Sequence, residues 1–101
     1  MARPLKLTGA ARDEALAELT AAGWTHDDAK DRISKSFRFK DFSAAWGFMS
    51  RAALAAEVLD HHPDWSNSWN KVEVSLTTHD AKGLTELDLK LAQAMDQIVG
   101  A

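Results

Sequence analysis

The sequence predicts an α+β fold, an antiparallel sheet covered on one face by helices, and three observations carry that expectation. Two segments, "RISKSFRFK" (32–40) and "KVEVSLTTH" (71–79), alternate apolar and polar residues as half-buried strands do. Three other segments repeat apolar residues at helical spacing. The strands fall in groups with helices between them, which suits an antiparallel sheet with helices on one side.

The first helix is predicted over 8–22, with Ala15, Leu16, Leu19 and Ala22 on one face and Gly23 as its C-terminal stop. "WTHDDAKD" then supplies a short strand around 24–26 and a turn, which makes a hairpin with the strand that follows. In that second strand Ile33, Phe37 and Phe39 face one side, and Arg32, Ser34, Ser36, Arg38 and Lys40 face the other. Asp41 caps the second helix, whose expected core stripe is Phe42, Ala45, Trp46, Met49, Ala53 and Ala56. Gly47 inside it costs about 1 kcal/mol relative to alanine, which suggests close packing against a neighbour. Pro63 is expected to end the helix, because the residue before a proline is pushed out of the α region.

In the later strand segment Val72, Val74 and Leu76 take the buried side, leaving Lys71 and Glu73 with Arg38 toward solvent. One or two strands fit between the second and third helices. The last helix opens at Thr85, with Asp88 three residues on as a carboxylate variant of the capping box. Leu84 and Leu89 are placed as a hydrophobic staple, and Leu87, Leu91, Ala94, Met95 and Ile98 form the core stripe.

With 101 residues, 46% of them hydrophobic, the chain is expected to form a single domain over 1–101 with one modest core. Any site it builds alone is a shallow cleft, of the kind a second subunit can complete. A net charge of −3 argues against direct nucleic-acid binding, which needs a clustered basic face. The absence of cysteine excludes disulfides, thiolate metal sites and cysteine nucleophiles. No apolar run reaches the roughly 18 residues of a membrane span, and the N-terminal stretch lacks a signal-peptide core. A cytoplasmic location without membrane contact is the expectation.

The polar constellation centres on "EVLDHHPDW" (57–65). If the helix persists to residue 61, Glu57 and His61 are neighbours on one face, while His62 leaves in another direction. Histidines in a last helical turn serve first as caps of free carbonyls, favoured by the macrodipole; acid–base or ligand-binding use is the alternative. Metal binding ranks lowest, since adjacent helical residues do not converge on one ion and no HExxH spacing exists. His79 ends a strand on its polar side, unless the strand stops earlier. Trp65 and Trp69 flank a polar "SNS", where an aromatic can pack or wall a flat ligand.

Taken together the spacing is more specific. Glu57, three residues, His61-His62-Pro63, five residues, Trp69, nine residues, His79, eight residues, Asp88 resembles the signature of pterin-4a-carbinolamine dehydratases. The resemblance extends to "GW" after the first helix and to "WNKVEVSLTTHDAKGLTELD". It implies a four-stranded antiparallel sheet with three helices on one face, in the order α-β-β-α-β-β-α. It also implies a homodimer or homotetramer, and dehydration of 4a-hydroxytetrahydropterin to the quinonoid dihydropterin with no metal or organic cofactor. That reaction serves recycling of the tetrahydropterin used in aromatic amino-acid hydroxylation.

Residue by residue, His61 and His79 match the family's acid–base histidines, and His62 a substrate-contacting histidine needed for activity. Asp60, Thr77, Thr78 and Asp80 match positions lining the pterin site. Glu57 matches a supporting carboxylate, and Trp69 and Asp88 complete the supporting set. The alternative is a binding module, because family members in animals also act as dimerisation cofactors for a homeodomain transcription factor.

Overall fold

In the computed structural model, which describes residues 4–100, three helices and four strands follow in the expected order. They are α1 (Gly9–Ala21), β1 (Thr25–Asp27), β2 (Arg32–Arg38), α2 (Phe42–Leu59), β3 (Asp64–Ser68), β4 (Lys71–Leu76) and α3 (Glu86–Gly100). A short 3-10 turn, His79–Ala81, precedes the last helix. Every strand pair is antiparallel and the spatial order is β1-β2-β4-β3. Strand β3 is the element that alternation alone left open.

Cross-strand pairs Ile33 with Leu76 and Phe37 with Val72 set the register of the two central strands and give the helices their apolar floor. From α2, Phe48 stacks on that floor, its ring 4.8 Å from Phe37 and 5.2 Å from Phe39. Trp24 meets Phe37 edge-on and donates Nε1–H to Asp96 of α3 at 2.9 Å. Lys35 has the inward parity of Ile33 and Phe37, yet carries a charge. Its ammonium lies over the Trp24 and Phe37 rings, 5.8 and 5.1 Å from their centres, and ends on Asp96 at 2.8 Å and the Ala22 carbonyl at 2.6 Å.

Helix α2 buries a different face from the one its periodicity suggests. Ala45, Phe48, Ala52 and Ala56 are its buried residues, whereas Phe42, Trp46 and Ala53 are exposed. The helix has two apolar stripes on largely opposite sides, and the side bearing small alanines around one phenylalanine fits close to the sheet and α3. The bulkier stripe, Phe42, Trp46, Leu54 and Val58, is left on the surface. On α1, Ala15 and Leu19 are buried and Leu16 packs beside them, but Ala22 is exposed. On α3, Leu91, Ala92 and Met95 are buried, with Leu87 and Ala94 only partly so.

Gly47 meets no close neighbour: a Cβ built there finds nothing within 4 Å. Gly47→Ala is therefore expected to stabilise the fold by about 0.5–1 kcal/mol, by removing backbone freedom from the unfolded chain. Urea melts of the two proteins check this, and an unchanged or lower midpoint would show that the position has a packing role after all.

Pro63 does not end α2. The helix stops at Leu59, and Asp60 takes the left-handed conformation (φ 50°). Its N–H reaches the Glu57 carbonyl at 3.1 Å and the His61 N–H reaches the Ala56 carbonyl at 3.0 Å, the two bonds of a Schellman cap. Aspartate tolerates that conformation better than most residues. The asparagine at 70 and the exposed Trp69 (φ 49°) form the β3–β4 turn.

At the opposite side of the sheet, Asp31 closes the β1–β2 turn, also left-handed (φ 48°), with its carboxylate buried. Arg12 grips it through two bonds of 3.1 and 2.8 Å, His26 Nε2 lies at 2.8 Å, and the Leu84 N–H donates at 3.0 Å. Burial opposes its ionisation, but the bonds from Arg12, His26 and Leu84 outweigh burial and hold the carboxyl well below the usual carboxylate range. The stabilisation this gives is present above the unfolded aspartate value, about 3.9, and fades as pH falls through the lower folded one. The wild-type midpoint is therefore expected to drop below about pH 4 more steeply than that of Asp31→Asn. Parallel curves from thermal melts between neutral and strongly acid pH would contradict the assignment.

Candidate active site

The Schellman cap sends His61 and His62 in different directions. His61 turns inward and is 8% exposed, with Nε2 at 2.6 Å from Asp88 Oδ1. His62 stays outside, with Nε2 at 2.6 Å from Glu57 Oε1. The expected Glu57–His61 neighbourhood is thus exchanged for Glu57–His62, because the left-handed Asp60 takes residue 61 off the helical spacing.

Asp88 does two things at once. Its Oδ2 accepts from the Thr85 N–H at 2.9 Å, as the capping box requires, and from the Thr78 hydroxyl at 2.8 Å. Thr85 Oγ1 accepts from the Leu87 N–H at 3.2 Å and lies 2.8 Å from Thr78 Oγ1, so the Thr85 hydroxyl donates to Thr78. With Oδ2 occupied by two donors, Oδ1 is left for the histidine. His61 therefore carries its proton on Nε2 and presents Nδ1 to whatever approaches. His62, held on Glu57 by Nε2, likewise presents Nδ1.

Strand β4 stops at Leu76, so His79 is not on a strand face. It opens the 3-10 turn, exposed, with Nε2 at 3.7 Å from Asp64 Oδ2 at the start of β3. Asp64 pairs with Ser75 in the sheet, so His79 and the two residues before Pro63 converge on one sheet end. A continuous chain of contacts, His61–Asp88–Thr78, runs to the residue beside His79. Asp60 and Asp80 lie at this end, both exposed. The hydroxyls of Thr77 and Thr78 face the fold: Thr77 Oγ1 donates to the Asp31 carbonyl at 2.9 Å, and Thr78 to Asp88.

Trp69 stands apart from this group. It sits at the far end of β3, about 17 Å along the strand from Asp64. Trp65 is half-buried and packs against the core. Asp64 and Thr85 are the site neighbours that sequence reasoning did not single out as such. The signal for Asp64 was its place just after the histidine pair, and for Thr85 the cap it makes with Asp88. Among the described residues, no group of three His, Asp or Glu side chains is arranged to hold a metal ion. No helix among them is long and apolar enough to cross a membrane.

Fold and site together define a small α+β protein with a histidine–carboxylate cluster at one end of its sheet. Residues 5–98 match the family model described as pterin 4 alpha carbinolamine dehydratase. Relatives from Brucella ovis and Brucella canis, provisionally named pterin-4-alpha-carbinolamine dehydratases, are each 52% identical over 95 residues, covering 94% of this chain and 96% of theirs. A crystal structure from Brucella melitensis, described as a transcriptional coactivator/pterin dehydratase, superposes with a TM-score of 0.83 at 52% identity, covering 92% of this chain and 97% of that one. The chain belongs to the pterin-4a-carbinolamine dehydratase family, a family of hydro-lyases.

Proposed function

We propose that the protein dehydrates 4a-hydroxytetrahydropterin to the quinonoid dihydropterin by histidine acid–base catalysis, in the recycling of tetrahydropterin. The C4a–O bond breaks, the leaving hydroxyl takes a proton and departs as water, and a ring nitrogen gives up its proton. His61 and His79 are the acid–base pair, and His62 holds the substrate with Asp60 and Asp80 beside it. Histidine has an unperturbed value near 6.5, so it can serve in either state at neutral pH. The observation that supports this reading most is the short His61–Asp88 bond of 2.6 Å, which locks a buried ring in one tautomer with its other nitrogen presented. Thr77 and Thr78 contribute by bracing the fold with their hydroxyls rather than by offering them to the substrate.

The test is stopped-flow absorbance on the carbinolamine generated in place. Acceleration above the spontaneous rate supports the reading, and none would sink it for this substrate.

A second reading, contact with protein, is favoured by the surface stripe of Phe42, Trp46, Leu54 and Val58, four large apolar side chains at helical spacing. Self-association of this face into a homodimer or homotetramer is the form proposed. Use of the face by a transcription factor is the alternative, in keeping with the description of the Brucella melitensis protein. Sedimentation of wild type and Trp46→Glu decides between a self-associating face and one left for another partner.

A further inference from the structure

We propose that Asp31 is a positioning residue for the dehydration, a role that rests on the dehydratase reading: it braces both ends of the loop that carries Thr78 and His79. The loop leaves the sheet at Thr77, whose hydroxyl donates to the Asp31 carbonyl at 2.9 Å. It returns at Leu84, whose N–H donates to Asp31 Oδ2 at 3.0 Å. One residue, by its backbone and its side chain, thus holds the entry and the exit.

Between those points the loop is closed on itself. Thr78 and Gly83 exchange backbone bonds of 3.1 and 3.3 Å, and the Ala81 and Lys82 N–H groups bond back to Thr78 and His79, each at 3.1 Å. A loop closed this way moves as a unit. Its height over the sheet is set by where its ends are fixed.

Gly83 shows how closely the chain passes the carboxylate. A Cβ there would lie 2.3 Å from Asp31 Oδ2 and 2.7 Å from Lys6 Cε. Asp31 is itself immobilised by Arg12 and His26, and Lys6 stands at 3.7 Å. The Leu7 N–H adds a bond to the Leu84 carbonyl at 2.8 Å. Displacement of this unit carries His79 with it and pulls on Thr78, hence on Asp88 and the His61 ring. Asp31 lies outside the group proposed to meet the pterin and acts on it only through the loop.

Asp31→Asn tests the role. It keeps the size, but a single oxygen cannot serve Leu84, Arg12 and His26 together. Gly83→Ala is the companion, because it removes no hydrogen-bonding group and only lifts the loop from the carboxylate. Both are assayed where circular dichroism shows them folded. The expected result is a fall in kcat of about 10- to 100-fold with KM within about threefold of wild type. Amide exchange should quicken across 78–84 while β2 and β4 keep wild-type protection.

A purely structural residue would lower the melting midpoint and leave kcat of the folded protein unchanged, and that outcome in both variants overturns the proposal. If Asp31→Asn does not fold, Gly83→Ala decides alone. Wild type without dehydratase activity would overturn the catalytic half together with the function proposed above, and unchanged exchange at 78–84 would overturn the brace itself.

Discussion

His61→Ala and His79→Ala are each expected to lower the dehydration rate by about 10²–10⁴-fold at neutral pH, the usual range for removal of a general acid or base. His61 is the more completely prepared of the two. Its ring is buried, its Nε2 is fixed on Asp88, and the backbone before it is set by a two-bond cap. Alanine there removes a group whose orientation the fold has already settled, so the loss should fall on kcat. His79 is exposed on a short turn, with the 3.7 Å contact to Asp64 near its ring nitrogen. Its removal should also fall on kcat, since the proton transfer proposed for it takes place only in the reaction.

In the proposed mechanism the two residues act on one bond-breaking event, so the double variant should be little worse than the poorer single one. His62→Ala should act chiefly on KM, because an exposed ring held by Glu57 is suited to touch the substrate. Stopped-flow traces on all four proteins measure this. A single variant at His61 or His79 that keeps wild-type kcat would remove that residue from the acid–base pair.

Asp88→Ala is expected to be costly to stability and activity alike. The carboxylate is 1% exposed and takes the Thr78 hydroxyl, the Thr85 N–H and His61 Nε2. Alanine leaves three buried donors unserved and removes the N-terminal carboxylate of α3. The loss should be about 3–5 kcal/mol, a large share of a domain's 5–15 kcal/mol. Asp88→Asn keeps the shape and one acceptor, so a smaller cost of about 1–3 kcal/mol is expected. Its amide nitrogen cannot accept from His61, which frees the ring to turn, and kcat should fall about tenfold or more in protein that is still folded. Urea melts and rates on the same preparations separate the two effects. A stable Asp88→Asn variant with wild-type kcat would show that the carboxylate serves the helix cap and nothing else.

Much of this was legible in the sequence, and the limits were physical. The alternating strands 71–76 and 32–38 and the capped start of α2 follow from local pattern, which short-range sterics and burial enforce. The identity of the buried face of α2 does not. Both stripes are apolar, and the choice depends on how Phe48 meets Phe37 and Phe39, which lie on another element. Lys35 shows the same limit, since its inward position is acceptable only because Asp96 lies 61 residues away along the chain.

In the site, Glu57, His61, His62, His79 and Asp88 stood out by spacing, but their pairing did not. One left-handed residue, Asp60, exchanged the partners of two histidines. Asp31 carried no sequence signal, because a lone aspartate in a turn is indistinguishable from a solvated one until Arg12, His26 and Leu84 are brought to it.

The partner exchange at Asp60 also sets the order in which the site comes into being. His62 and Glu57 are five residues apart, so their contact can form as soon as α2 does. His61 and Asp88 are separated by 27 residues and by the whole β3–β4 hairpin. On a ribosome, the first pair is available while the last helix is still unmade, and the second must wait for α3 to emerge and dock. A growing chain therefore carries both histidines well before it can orient His61. The proposed site is complete only once α3 is in place, because Asp88 both caps that helix and holds His61.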